Sequence, residues 1–300
     1  MRNPESLSPN TPDQNKDNPQ FSRRGLLRSL GATVILSLVG RGDANRFLFD
    51  QPPSNYPQSS EKSPEKTEEE FDLQTIEEIK KQAQIIFENN NYQDLVGAID
   101  KVESYRPIVE KYAKEYQVDP EYLMGIIFIE SKGDPNPKNR KIDHHGAVGL
   151  CQFLPETARN LGLKDRTNPE QSIKAAAKYI HDFEDDLGGK ALAIENFHMG
   201  YGNLYDLIKV RYKISGYPDY PKDMLPKGVD YPQIYHDVMR DKNSEAYQIL
   251  SKGLSDDSAN YYFKVLAAME ILKINKTHPV AIKMGSEKFY KETHNEENKS

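Results

Sequence analysis

Asp119-Pro120-Glu121-Tyr122-Leu123-Met124-Gly125-Ile126-Ile127-Phe128-Ile129-Glu130-Ser131-Lys132-Gly133 is the stretch whose reading decides the fold. Asp119 is a natural N-cap, because its side chain can accept from a first-turn N–H, and Pro120 suits the first helical position, where no N–H is needed. Gly133 can close the C-terminus in the left-handed region. Between them runs an apolar stripe of Leu123, Ile126 and Ile127, and the next position on that stripe is Glu130. A carboxylic acid stands where leucine or isoleucine would fit. Burial disfavours the ionised form and raises a carboxyl pKa, and the partial negative charge of a helix C-terminus pushes the same way. A glutamic acid protonated near neutral pH is what general-acid cleavage of a glycosidic bond requires. The same spacing also fits a last-turn glutamate that turns to water or pairs with Lys132.

Outward from this helix the periodicity stays helical. Leu73, Ile76, Ile79, Ala83, Ile86 and Phe87 form one stripe, stopped by Asn89-Asn90-Asn91. Leu95, Ile99 and Val102 predict a second helix; Tyr105, Ile108, Val109 and Tyr112 predict a third. Asn168-Pro169 opens another, with Gln171 placed to complete a capping box, and it carries Ile173, Ala176, Ala177, Ile180, Phe183 and Leu187 up to Gly188-Gly189. Ala191 to Phe197 is a short apolar stretch running into a glycine-broken loop. Asp256-Asp257-Ser258 should cap a helix bearing Tyr262, Val265, Leu266, Met269 and Leu272. Alternating strand patterns are scarce, so the class is mainly α.

The ends read differently. Ser22-Arg23-Arg24-Gly25-Leu26-Leu27-Arg28 precedes a short apolar run, Leu30 to Gly40. A positive region before a short apolar region is the layout of an export signal, and the paired arginines resemble the twin-arginine type. The bland reading is a basic cluster beside a short core helix, but no amphipathic period accompanies the run. The run is about half the roughly 20 residues a spanning helix needs, so no stable membrane span is expected unless the signal stays uncleaved. The expected location is the periplasm or cell envelope. Gln51 to Glu70 is rich in Pro, Ser, Glu and Lys and reads as a disordered tether. The net charge of −6 offers no basic face for nucleic acid. One cysteine, Cys151, excludes an internal disulfide framework. His144, His145 and His198 lack an acid or thiol at ligand spacing, so neither metal nor cofactor is expected.

Three motifs after the helix name a family. Glu130-Ser131 comes first. Gly146-Ala147-Val148-Gly149-Leu150-Cys151-Gln152-Phe153-Leu154-Pro155-Glu156-Thr157-Ala158 follows, and then Ala191-Leu192-Ala193-Ile194-Glu195-Asn196-Phe197-His198-Met199-Gly200-Tyr201-Gly202-Asn203. In this order they resemble the soluble lytic transglycosylase (SLT) domain, a relative of goose-type lysozyme. That family shows Glu-Ser, Gly-Leu-Met-Gln with Pro-x-Thr-Ala, and Ala-Tyr-Asn-Ala-Gly-x-Gly. The resemblance runs from about Arg106 to Tyr212. Three motifs in order, each at a helix boundary, are far more specific than one.

The resemblance implies a lysozyme-like helical fold acting on peptidoglycan glycan strands. It implies Glu130 as the single acid/base, Ser131 as a hydroxyl positioning it or the sugar, and Gln152 as a substrate contact. Gly146, Gly149 and Leu150 would form the tight turn that brings backbone to the cleft. The family methionine is Cys151 here, a soft residue expected to pack rather than react. The family tyrosine falls on Phe197, which keeps the ring but lacks the hydroxyl that would touch the catalytic acid. The family asparagine falls on His198, which can donate a hydrogen bond and also titrate; a purely structural loop histidine fits as well. With no tryptophan in the chain, Tyr179, Tyr201 and Tyr205 could line a glycan groove, Tyr201 foremost, though core or surface roles suit any of them.

Most glycosidases use two carboxylates. Asp134 and Asp143 follow Glu130, and both suit turn chemistry; Asp143, just before the glycine motif, is the better candidate helper. The family implies a route that needs only one: Glu130 protonates the leaving oxygen, then takes the proton of the sugar's own 6-hydroxyl, which closes a 1,6-anhydro ring. A hydrolytic muramidase of the same fold, and a binding protein that has lost catalysis, remain as alternatives. The expected organisation is an export signal over 1–45, a linker over 46–70 and an N-terminal helical extension over 71–104. A catalytic domain over 105–212, a C-terminal helical extension over 213–275 and a frayed polar tail over 276–300 follow.

Overall fold

The computed structural model describes residues 68–136, 146–216, 221–226, 229–255 and 258–297. The arginine pair, the segment read as an export signal, Asp143, His144 and His145 lie outside them. Among the described residues there is no named strand, only one antiparallel bridge between Val148 and Phe153. The mainly α class holds. No described helix is long and apolar enough to cross a membrane.

The helix from Asp119 forms as its ends dictate. Among the described residues, α1 (Glu68–Glu88), α2 (Tyr92–Ser104) and α3 (Arg106–Tyr116) lead into α4 (Pro120–Ser131). Asp119 accepts from the Glu121 N–H at 3.1 Å, and Pro120 opens the helix. The closing residue is Lys132, in the left-handed region at φ 52°, with Gly133 following at φ 74°. Leu123, Met124, Gly125, Ile126, Ile127 and Phe128 are all buried, so α4 is enclosed on every side rather than along one stripe.

Then come α5 (Pro155–Asn160), α6 (Pro169–Leu187), α7 (Lys190–Met199), α8 (Tyr201–Arg211), α9 (Tyr231–Arg240), α10 (Glu245–Ser255), α11 (Tyr261–Thr277) and α12 (Pro279–Glu297). Against α4 lies α11, and Gly125 allows the approach: a Cβ there would sit 2.9 Å from the Val265 carbonyl oxygen. The helices α1, α12 and α7 also pack on α11. One cluster of buried apolar residues runs from Ile79 to Phe289. The segments expected as extensions therefore share a core with the segment between them.

Several sequence expectations need correction. Leu73 is 62% exposed, whereas Ile76, Ile79, Ala83, Ile86 and Phe87 are buried. At 100° per residue Leu73 sits about 90° from the centre of that stripe, at its edge. The polar Thr75 and Gln82 are buried instead. Asn168 caps the Gln171 N–H at 3.0 Å, but the Gln171 side chain accepts from Asp165 N rather than closing a capping box. The expected loop after Phe197 is a corner between α7 and α8, made by Gly200 at φ 80°. Asp256 and Asp257 lie outside the described residues; Ser258–Asn260 is a 3-10 turn, Ser258 bonds to the Gly253 carbonyl, and α11 begins at Tyr261 with no side-chain cap from Asn260.

The largest correction is the tail. Pro279–Glu297 is a docked helix, with Ile282 and Ser286 fully buried and Phe289 stacked on Phe87 at 6.2 Å. Ser286 donates to the Asn90 carbonyl at 2.7 Å, which satisfies the buried hydroxyl.

Candidate active site

Glu130 stands in the last turn of α4 and is half-buried. Its Oε1 accepts from the Tyr261 hydroxyl at 2.6 Å, a short bond of the kind made to charged oxygens. Tyr261 is buried, and that burial, with the Glu130 charge beside it, pushes its phenol well above its ordinary pKa. It therefore stays a proton donor through the neutral range. Lys132, the alternative partner for Glu130, points elsewhere: its ammonium donates to Asn90 at the end of α1.

Ser131 is brought beside Glu130 by the chain, but its hydroxyl donates back to the Ile127 carbonyl at 3.2 Å. Asp134 is in a turn: it accepts from Asn136 N at 3.0 Å and lies 3.8 Å from the Lys101 ammonium. Among the described residues no three His, Cys, Asp or Glu side chains gather as a metal site would need.

The second motif folds into a tight turn beneath this acid. Gly149 has φ 82°, and a Cβ there would fall 1.7 Å from the Arg166 carbonyl oxygen, so only glycine fits. Gln152 is left-handed at φ 51° and its amide folds over the turn, Nε2 donating to the Gly149 carbonyl at 2.6 Å. Arg166 braces the loop, donating to the carbonyls of Gly146 at 2.6 Å and Phe153 at 2.9 Å. Cys151 packs in the core, its N–H on Ser172 Oγ at 3.2 Å. Burial pushes its thiol up to about 12, the nearby Glu130 charge adding to this, so the thiol is inert at neutral pH.

The third motif brings rings to the same place. Phe197 meets Phe153 at 5.3 Å, Tyr179 edge-on at 5.1 Å and Tyr261 at 6.2 Å with planes 9° apart. His198 is exposed and lies over Tyr261 at 4.8 Å and 25°. Tyr201, 37% exposed, touches Phe183 and Tyr205. Tyr179 and Tyr205 are buried, and the Tyr179 hydroxyl is engaged with Asn196, so of the three tyrosines expected at a groove only Tyr201 is open. Glu130, Phe197 and His198 thus meet at Tyr261, Phe153 next to Gln152 joins them through Phe197, and Tyr201 is linked to Phe197 through Phe183 and Tyr179.

Tyr261 was not singled out from the sequence. It lies 131 residues from Glu130 and is one of 18 tyrosines. Its one local signal was its place at the start of a helix rich in apolar residues.

Comparison with known proteins follows the same lines. The transglycosylase SLT domain family matches residues 107–217. A membrane-bound lytic murein transglycosylase F of Salmonella choleraesuis is 34% identical over 143 residues, which are 44% of this chain and 26% of that protein. Proteins of the same name from Desulfosudis oleivorans and Haemophilus influenzae are 25% and 29% identical, over 57% and 43% of this chain. This chain spans 37% and 28% of those two proteins, so it covers well under half of any of these three relatives. Tyr261, the hydroxyl on Glu130, lies beyond the matched residues. Residues 107–217, with Glu130 at the end of their buried helix and the two glycine motifs folded around it, are a transglycosylase SLT domain.

Proposed function

We propose that this chain is a peptidoglycan lytic transglycosylase in which Glu130 is the only acid/base. The observation that carries the reading is the 2.6 Å bond from Tyr261 to Glu130 Oε1. A hydroxyl donated to the carboxyl from a buried ring fixes where that carboxyl points. Glu130 gives its proton to the oxygen of the breaking glycosidic bond, and the sugar's N-acetyl group supports the cationic centre. The carboxylate so formed is stabilised by the Tyr261 hydroxyl. It then takes the proton of the 6-hydroxyl, whose oxygen bonds to the anomeric carbon and closes a 1,6-anhydro ring. Glu130 ends protonated, and no water is consumed.

Ser131, Gln152, Phe197, His198 and Tyr201 are the proposed substrate contacts. The hydroxyl missing at Phe197 is replaced at the acid by that of Tyr261, which weakens the reading of a lapsed binding protein. The test is mass spectrometry of purified cell wall digested with the protein and with Glu130→Gln. Anhydro ends from the former, and at least a roughly hundredfold loss in the latter with an unchanged thermal midpoint, are expected. Reducing ends would mean a hydrolytic muramidase, and full activity of the Gln variant would sink the mechanism. Export to the envelope is proposed from Arg23-Arg24 and the apolar run after it. Changing both arginines to lysine should leave the protein in the cytoplasm; normal export would exclude a twin-arginine signal.

A further inference from the structure

The first turn of α11 carries the hydroxyl that touches Glu130, yet its own N-cap residue does not hold it. Asn260 makes no side-chain bond to that turn, and its Oδ1 accepts from the Tyr235 hydroxyl at 3.0 Å. The Tyr262 N–H instead goes to Glu195 Oε2 at 2.8 Å. Glu195 belongs to α7, the helix that presents Phe197 and His198, and is fully buried. A carboxyl from one site helix thus caps another, at the residue next to Tyr261. First-turn N–H groups are orphan donors and favour an acid.

The position is costly for a carboxyl. Burial pushes Glu195 up to about 8, against the pull of the Tyr262 N–H, the adjacent Tyr231 and the Lys264 charge. Leucine would fill the same space without that cost, so the acid must serve a use that leucine cannot. Protonated or not, it keeps an oxygen that accepts the N–H. The Tyr231 hydroxyl beside Glu195, also buried, donates to the Ala259 carbonyl at 2.7 Å, just before the same turn. Successive helical residues differ by about 100° in direction, so fixing the Tyr262 N–H fixes where Tyr261 points.

We propose that Glu195 is a positioning residue of the active site: by holding the Tyr262 N–H it sets the rotation of α11 that delivers the Tyr261 hydroxyl to Glu130. The proposal rests on the reading of Glu130 as the acid/base. Its test compares Glu195→Leu, Glu195→Gln, Tyr261→Phe and the Glu195→Leu/Tyr261→Phe pair, by kcat and KM on soluble glycan fragments. The Leu variant should lose tenfold or more in kcat with KM within threefold. Glu195→Gln, whose amide oxygen still accepts, should recover most of that loss. The double variant should fall no more than threefold below the weaker single one, because both changes remove the same contact. A readout without turnover accompanies it: the carboxyl carbon-13 resonance of Glu130, assigned with Glu130→Gln, should move in Glu195→Leu as it does in Tyr261→Phe. That shift decides the coupling even if the wild-type chain cleaves nothing, an outcome that would sink the enzyme reading alone. Multiplying losses, a rise in KM alone, an unmoved resonance, or failure of the Leu variant to fold would each overturn the proposal.

Discussion

Removing one oxygen from Tyr261 tests the site at its narrowest point. In Tyr261→Phe the ring stays, so its stacking on Phe197 and His198 should persist. What goes is the 2.6 Å bond to Glu130 Oε1. Hydrogen bonds to charged groups are worth about 1.5–3 kcal/mol, and tenfold in rate corresponds to about 1.4 kcal/mol. Glu130 gains its charge as it gives up its proton, so the bond strengthens on the way to the transition state. If all of that gain is felt there, kcat falls by roughly 10- to 150-fold with KM little changed. The half-buried acid can reach water in place of the hydroxyl, so stability should change by about 1 kcal/mol or less. In a core of this size that is a shift of roughly 2–4 °C in Tm. The assay is release of soluble fragments from purified cell wall under saturating and limiting substrate, beside thermal unfolding. A kcat within threefold of wild type at an unchanged Tm would refute the role given to Tyr261.

Two further outcomes follow from the packing. Gly149→Ala puts a Cβ 1.7 Å from the Arg166 carbonyl at a left-handed φ, so it should cost more than about 2 kcal/mol and abolish activity through Gln152, which rides on the same turn; wild-type melting and turnover would contradict it. Glu195 has a folded pKa of about 8 against an ordinary 4.5, so the folded state holds its proton through a window where the unfolded chain has lost it. That contribution is complete below about 4.5 and is lost as pH rises to about 8, and Glu195→Gln removes the slope. The Tm of Glu195→Gln relative to wild type should therefore be higher at pH 8 than at pH 5; an equal difference at both pH values would mean that Glu195 is ionised in the fold.

The parts of the site readable in the sequence are those encoded locally. Asp119-Pro120 and the glycine after Lys132 bounded α4, and the Gly149 turn was visible because close backbone approach needs glycine. The parts that escaped depend on contacts between distant segments. In α12 the buried line is Ile282, Ser286 and Phe289, so a serine breaks an already thin apolar pattern. Its burial is earned by Phe87 and by the Asn90 carbonyl, neither of which the tail itself reveals. In α11 the buried residues surround the helix, from Tyr261 and Phe263 to Ile271 and Ile274, and no stripe marks which side meets Glu130. Asp134 was legible from its local sequence as a turn residue, and the bond it accepts from Asn136 N places it in one.

These two blind spots have one physical origin, and it bears on where the working unit ends. A boundary at residue 212 follows the three motifs, yet α4 is closed off by α11, which enters against Gly125 at a distance no other side chain permits. That approach does two things at once. It helps bury the helix that ends in Glu130, and it places the Tyr261 hydroxyl, at the first turn of α11, within 2.6 Å of the acid. Burial and orientation of the carboxyl thus come from the same helix pair. The helices α1 and α12 also pack on α11. The segments that looked like extensions are therefore the wall against which the acid is held, and a chain cut at 212 would keep Glu130, Gln152 and His198 while losing the hydroxyl that fixes the carboxyl.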